Sequence, residues 1–565
     1  MPLAWRREAR QFRQLVRVSY RRLLDTALAS RDIDAEQFAL WGAALLATPL
    51  LYAALTWPSR YPWLRARSLE QLQSAVLADR LFFVIWPMLV ALFVGALLWD
   101  GLFPDRTDQQ VMGVLPVRSR TVAAARVAAA LSSMAVLLAG ISLPAAVMYA
   151  LAGAAHPSVG RVPGIFVGHM AASVSAGLFA FGVLLTARGA IALAVGASAA
   201  ARIAVVLQLV SVVVIFESFM FLPGILPGIT RQLLAVGPDA TVAWPPAWFI
   251  GVYAVFAGPH SALLAPMSLI AAAALVTALA AALAVYIAPA RLNARRAVES
   301  RDTDHTSSPL VAPLLACGAV LRRPSARARY AFTIRSLTRS RRHLLSLATY
   351  LGLGVALAGT RVLSASIRGR AQPLDQPVDY LLVVPLVLTF FLVLGVRAAF
   401  AVPTDVPANW VFRVVGPRTL LDSRSAARLA FHALAVLPVS VMTVVAAGWL
   451  WGWQTALAVT AMHGASGLLL CETALRGHES VPFTKARALS TSSMKVGVAA
   501  ALGAIYVFAF RLDDLQLWAL GSLSRTMGYV VVALTATVAI TVSAGGTRAP
   551  SRPRSMPPTI MPSRS

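Results

Sequence analysis

Lysine is nearly missing from this chain. Of 50 basic residues, only Lys485 and Lys495 are lysines. A phosphate-binding loop of the form G-x-x-x-x-G-K-[ST] needs a lysine that reaches the nucleotide phosphates. Thr484 and Met494 precede the two lysines, where that pattern demands glycine. ATP hydrolysis by such a loop is therefore excluded. Cysteine is equally scarce: Cys317 and Cys471 stand far apart, with neither disulfide-framework nor zinc-ligand spacing. The eight histidines are scattered and form no H-E-x-x-H pair. No paired carboxylates, Ser/His/Asp set or metal cluster converges, so we expect no enzyme activity, cofactor or metal. Acidic residues are few as well, 23 against those 50, which leaves a net charge of +27.

What is abundant is oil. The chain of 565 residues is 58% hydrophobic and 13% charged, with a mean hydropathy of +0.71. A soluble fold cannot hide that much apolar surface, so the sequence reads as an all-α polytopic membrane protein. Nucleic-acid binding, the other reading of so basic a chain, is rejected. The arginines gather at the ends of apolar runs, as the positive-inside pattern requires, rather than forming a binding face.

Twelve spans are expected, at 38–57, 81–99, 127–152, 164–187, 203–222, 262–288, 343–360, 380–402, 428–450, 454–475, 494–511 and 526–545. Each is near the ~17–25 residues that cross a bilayer as helix. Barrel strands alternate rather than run continuously apolar, which favours helices. The N-terminal arm (1–37) carries eight arginines, and the loop 289–342 carries twelve against Glu299, Asp302 and Asp304. The loop 403–427 and the tail 546–565 are basic too. With twelve spans all four fall on one side, the cytoplasmic one, and both termini with them. Loop 58–80 is a mild exception, with Arg60, Arg65, Arg67 and Arg80 on the other side.

Within the arm, Phe12, Val16, Tyr20, Leu23, Leu24 and Ala27 recur at helical spacing among Arg10, Arg13, Arg17, Arg21 and Arg22. This is a basic amphipathic helix suited to lipid headgroups. The first apolar run begins behind it, near Phe38, and reads as a retained helix rather than a cleaved leader. The domain reading is an arm (1–37), a first six-helix half (38–288), a flexible basic linker (289–342), a second half (343–545) and a disordered tail (546–565).

A polar hinge occurs twice. PDRTDQQVMGVLPVRSR (104–120) follows the second span of the first half, and PANWVFRVVGPRT (407–419) follows the second span of the second. At an offset of 300 residues, Arg118 falls on Arg418 and Ser119 on Thr419. Each fourth span carries a histidine, His169 in GHMAAS and His463 in MHGASG. Two six-span halves in parallel orientation are the simplest account, and such repeats place a path between them.

The stretch WDGLFPDRTDQQVMGVLPVRSRTVAAARV resembles the loop between the second and third spans of bacterial ABC-exporter permeases of the type-2 class, which runs D-x-L-x-x-x-R-x-D and then LP-V-x-R. PPAWFIGVYAVFAG (245–258) is similar to a segment that precedes the sixth span in the same permeases. The arm resembles their elbow helix. The likeness covers about residues 1–290, and the second half is divergent. The resemblance implies that the hinge docks as a short helix on a separate ATPase subunit, whose closure rocks two helix bundles. Carried onto this chain, the ATPase-coupling residues are Asp105, Arg106, Asp108, Arg118 and Arg120, then Asn409, Trp410, Arg413 and Arg418. Charge complementarity would set docking register. Pro104, Pro116 and Pro417 would stiffen the hinges, because proline fixes φ. Trp410 fits either an anchor in the partner cleft or an interfacial tryptophan.

Intramembrane polar residues supply the substrate-path candidates: Glu217, His169 and His463. Arg397 and Gln208 read as a snorkelling and a helix-packing group. The expected function is thus the permease component of an ABC-type exporter in the bacterial cytoplasmic membrane, moving an unknown substrate. Two other readings stay open. One is a major-facilitator secondary transporter, whose G-x-x-x-D-R-x-G-R-R loop is matched by Gly101, Asp105 and Arg106 but not beyond. The other is a non-transporting membrane scaffold.

Overall fold

The computed structural model describes residues 2–27, 63–64, 68–98, 117–152, 162–195, 197–236, 244–257, 266–287, 311–367, 375–402, 419–476 and 512–546, with single residues 47, 50 and 483. Among these the secondary structure is helical, without a strand. In chain order the helices are α1 (Pro2–Ala27), α2 (Leu69–Leu97), α3 (Ser119–Ala152), α4 (Val162–Val195), α5 (Ala197–Val236), α6 (Pro245–Ala257) and α7 (Met267–Ile287). They continue as α8 (Val311–Ala316), α9 (Pro324–Arg339), α10 (Arg341–Ile367), α11 (Val384–Ala401) and α12 (Thr419–Phe431). The last are α13 (Leu437–Trp451), α14 (Trp453–Ala474), α15 (Leu512–Leu520) and α16 (Leu523–Gly546).

Eight helices among the described residues are long and apolar enough to cross a membrane: 71–97, 119–151, 162–195, 267–287, 343–365, 379–401, 422–451 and 523–543. The protein is a multi-pass helical membrane protein by this measure. Four of the twelve expected spans are not in that set. Spans 38–57 and 494–511 fall almost wholly outside the described residues. Span 203–222 lies inside the 40-residue α5, and 454–475 coincides with α14.

The chain forms two compact units. The first takes in residues 1–309, 340–364 and 486–495, the second 310–339, 365–485 and 496–565. The division departs from the expected halves at two places. The body of α10, read as the opening span of the second half, belongs to the first unit. There Gln208 of α5 donates to Thr349 Oγ1 at 2.7 Å, and Gly352 lets Val212 approach, where a Cβ would meet its side chain at 2.9 Å. Residues 311–339, expected within a flexible linker, are folded helices of the second unit. Ala326, Tyr330, Ile334 and Leu337 form a buried stripe at helical spacing. The surrounding arginines hide that stripe in the composition.

In the first unit α2 packs on α4 and α5, and α4 also packs on α3, α6 and α7. Pro87 sits inside α2 and removes the N–H that would pair with the Phe83 carbonyl. In a bilayer no water can repair that gap. The Ser173 hydroxyl of α4 does so, donating to the Phe83 oxygen at 3.1 Å. One turn on, Gly177 allows the close approach: a Cβ there would lie 2.6 Å from Leu138 and 3.1 Å from the Pro87 oxygen. His169, Ala172, Ser173, Ala176, Gly177 and Ala180 are all buried, a run of mostly small side chains that lets helices meet closely.

Residues 223–260, between two of the expected spans, are partly helical. Here α5 runs on to Val236, and Thr230 meets Ser74 of α2 at 3.2 Å between hydroxyls. Helix α6 packs on α4 and buries Phe249, Ile250 and Tyr253. Its 13 residues span only about 20 Å, too short to cross.

In the second unit α14 packs against α13, α16 and α11. A π-helical turn, His432–Val436, joins α12 to α13. Helix α9 docks on α12 through polar groups: Arg323 Nη1 donates to Asp422 Oδ1 at 3.2 Å, Ser325 donates to Asp422 Oδ2, and Arg329 Nη1 donates to Ser423 at 2.7 Å. The Tyr330 hydroxyl ties α9 to the Leu314 carbonyl at 2.6 Å, and burial pushes its phenol pKa upward. Glu472 of α14 is buried and takes a forked contact from Arg428 of α12, with Nη2 to Oε2 at 2.9 Å and Nε against Oε1.

Ser173→Ala is expected to cost about 1–3 kcal/mol by stranding the Phe83 carbonyl. In a Pro87→Ala background, where residue 87 regains its N–H, the cost falls. Thermal unfolding of the two single variants and the double variant in one detergent measures that coupling.

Candidate functional site

The expected coupling residues Asp105, Arg106, Asp108, Asn409, Trp410, Arg413 and Arg418 lie outside the described residues. Arg118 and Arg120 are placed at the start of α3. The Arg118 carbonyl accepts from the N–H groups of Thr121 and Val122 at 2.9 and 3.2 Å, so the helix begins there. Arg120 is exposed. The Arg118 side chain is 85% exposed, and its Nη1 lies 3.8 Å from Glu8 Oε1 of α1. An exposed ion pair of this kind contributes little stability. What it marks is position: α1 lies along α3, with Leu15 buried and Val16 and Tyr20 packed on the core. Among the described side chains the arm therefore turns Leu15, Val16 and Tyr20 to protein and keeps Arg13, Arg17 and Arg21 exposed.

Glu217 sits on α5 facing α10. Thr360 Oγ1 donates to its Oε2 at 3.2 Å. Its Oε1 is buried without a hydrogen-bond partner among the described residues. Gly359 lies against it, where a Cβ would be 2.6 Å from Oε1. The carboxylate thus keeps one acceptor open.

His169 is fully buried in a box of rings. Phe83, Tyr149 and Tyr253 have centroids 4.7, 5.6 and 5.7 Å from its own. Its Nδ1 shares a 2.9 Å hydrogen bond with the Tyr253 hydroxyl, and no described group meets Nε2. Arg80 completes the cluster: Nε donates to the Tyr149 hydroxyl at 3.0 Å, and the guanidinium lies 5.5 Å from the Tyr253 ring centroid. Four helices, α2, α3, α4 and α6, converge there. Sequence reasoning counted Arg80 as a loop residue and missed Tyr149 and Tyr253. The signal available for Tyr253 was its place in PPAWFIGVYAVFAG.

His463 is bonded at both ring nitrogens, to Thr389 Oγ1 at 2.7 Å and to Ser440 Oγ at 3.1 Å. It clamps α11, α13 and α14 together and has no nitrogen left for a ligand. The two histidines, similar in sequence position, are therefore unlike in chemistry. Gln208 has the packing role read for it, and Arg397 reaches the Arg476 carbonyl at 3.5 Å.

An open apolar cavity in the second unit, about 660 Å³, went unnoticed in the sequence. Leu386, Leu515, Trp518 and Tyr529 line it. Tyr529 and Ser466 share a 2.8 Å hydrogen bond, and Arg525 stacks 5.0 Å from the Trp518 ring centroid. Ser466 lies three residues past His463 in MHGASG, the nearest thing to a sequence signal. Among the described residues no cluster of His, Cys, Asp or Glu is placed to hold a metal.

No protein-family model, no curated protein and no solved structure matches this chain.

His463→Phe strands two hydroxyls and is expected to lower stability more than His169→Phe, which gives up one hydrogen bond while keeping the ring packing. The difference is about 1 kcal/mol. Tryptophan-monitored melting of both variants reads it directly.

Proposed function

We propose that the chain is the membrane-spanning permease component of an ABC-type exporter in the bacterial cytoplasmic membrane, driven by a separate ATPase subunit. The observation that carries this reading is the contact of α1 with the head of α3. An amphipathic arm and the exit of the first polar hinge meet at Glu8 and Arg118, 3.8 Å apart. Force arriving at the hinge would pass to the arm and to α3 together. Asp105, Arg106 and Asp108 would complete the docking surface, and Asn409, Trp410, Arg413 and Arg418 would form its counterpart. The loop resemblance supplies the rest of the argument, with the absence of a Walker lysine.

Twelve spans in two six-helix halves, with both termini cytoplasmic, belong to the same proposal. Eight spans among the described residues leave room for the further four. Glu217, with its open acceptor, is the substrate-path residue on this reading. It is also the one observation that favours a proton-coupled secondary transporter, since a half-buried carboxylate with a buried, unbonded oxygen is suited to take up a proton. His169 stays a second path candidate through its open Nε2, while His463 reads as structural.

Charge reversal at Arg118 and Arg418 together is expected to release a co-purifying ATPase while leaving the protein inserted in the membrane. Unchanged co-purification removes the coupling role. Transport driven by a proton gradient without ATP, and abolished by Glu217→Gln, establishes the secondary transporter instead.

A further inference from the structure

The second unit contains a basic cavity of about 450 Å³ at the point where two spans end. That volume falls within the roughly 300–1,000 Å³ of small-ligand sites. Its walls come from three directions. Arg322 and Arg323 stand just before α9, Asp422, Arg424 and Arg428 lie on α12, and Thr541 is on α16. Asp422 opens the span 422–451 and Thr541 lies two residues from the end of the span 523–543. The cavity therefore sits at the level of the membrane surface, whichever side that is.

Its four arginines are not equivalent. Arg323 is neutralised by Asp422 and Arg428 by Glu472. Arg322 and Arg424 make no ion pair with any described residue, and the Arg424 Nε is buried without a hydrogen-bond partner. Two guanidinium groups lining one cavity repel each other, and the buried Nε of Arg424 adds a desolvation cost. An anion between them reverses both terms. Guanidinium forks match phosphate oxygens in pairs, which makes a phosphate ester the fitting ligand.

The surroundings select the source. Val538 and Val542 of α16 are exposed on the stripe beside Thr541, and the apolar face continues along Val531 and Val532. A ligand with a phosphate head and hydrocarbon tails satisfies both surfaces at once, and a basic pocket at the end of membrane helices is suited to lipid headgroups. We propose that this cavity is a phosphate-ester site formed by Arg322 and Arg424, occupied by the headgroup of an anionic phospholipid whose chains lie along α16. The site does not depend on the transport reading above.

The test uses the full-length protein in detergent. Its melting midpoint is followed while phosphatidylglycerol, phosphatidylcholine, glycerol 3-phosphate or inorganic phosphate is added, and native mass spectrometry counts retained lipid. Phosphatidylglycerol is expected to raise the midpoint and to be retained, while phosphatidylcholine does neither. Arg322→Gln/Arg424→Gln removes the shift, with affinity falling roughly tenfold or more for each arginine lost. Arg322 is exposed, so Arg322→Gln alone keeps the fold and still weakens binding if the double variant does not fold. Protection by inorganic phosphate or glycerol 3-phosphate equal to that by lipid, and lost in the same variants, upholds the phosphate site but assigns it a soluble ligand. Equal protection of the wild-type protein and Arg322→Gln by phosphatidylglycerol, or equal protection by phosphatidylcholine, overturns the proposal.

Discussion

Everything in the first unit depends on one rule: a backbone carbonyl inside a bilayer must find a donor within the protein. Pro87 breaks the hydrogen-bond ladder of α2, and Ser173 mends it from α4. The repair fixes more than one group. It sets the depth of α4 against α2, which seats Gly177 over Pro87 on one side and His169 against Phe83 on the other. The ring box around His169 thus lies one helical turn from a missing N–H and from the hydroxyl that replaces it. A hydrophobic surface alone would not select that register, because lipid tails are as apolar as leucine.

The second unit solves the equivalent problem with charge. Glu472 and Asp422 are buried at one end of the bundle, and each is met by an arginine. The Arg428–Glu472 pair stabilises little on balance, since desolvation of the buried carboxylate offsets attraction, and Arg323 meets Asp422 from a largely exposed position. Their effect is to bring α9, α12 and α14 to the same place. Two arginines remain over once the acids are used up, and they define the basic cavity. Among the described contacts, hydroxyls and rings dominate in the first unit, and ion pairs and His463 in the second, two kinds of glue in one chain.

The helical, multi-pass character was legible because twenty-residue apolar runs have few other solutions in water or lipid. The helix of the arm was legible from its periodicity, but its apolar face was read as meeting lipid, whereas Val16 and Tyr20 pack on the protein core. Residues 311–339 were not legible. Their stripe of Ala326, Tyr330, Ile334 and Leu337 is narrow, and arginine and serine dominate the composition around it. Helix α10 was read as a span correctly but given to the wrong neighbours, because periodicity records that a face is apolar and not which face covers it. At the sites, Glu217 and His169 were visible as polar residues in oil. Thr360 stands 143 residues from Glu217 and Tyr253 stands 84 from His169, while Tyr149 is nearer in sequence but on another helix, and no local pattern encodes such meetings. His463 looked like His169 in the sequence and differs because Thr389 and Ser440 reach both of its nitrogens.

The π-helical turn at His432–Val436 carries a consequence for the length of this segment. A wide turn holds one residue more than an ordinary one, and such turns often mark functional places in helices. Each residue of an α-helix advances the azimuth by about 100°. Losing a single residue there would close the turn to ordinary α geometry and leave α13 near its present azimuth, whereas losing one inside α13 ahead of Ser440 would turn Ser440 by that amount and out of reach of His463. The three-helix clamp therefore counts residues within α13 itself, and the wide turn ahead of it is where the connection from α12 can absorb a difference of one in number.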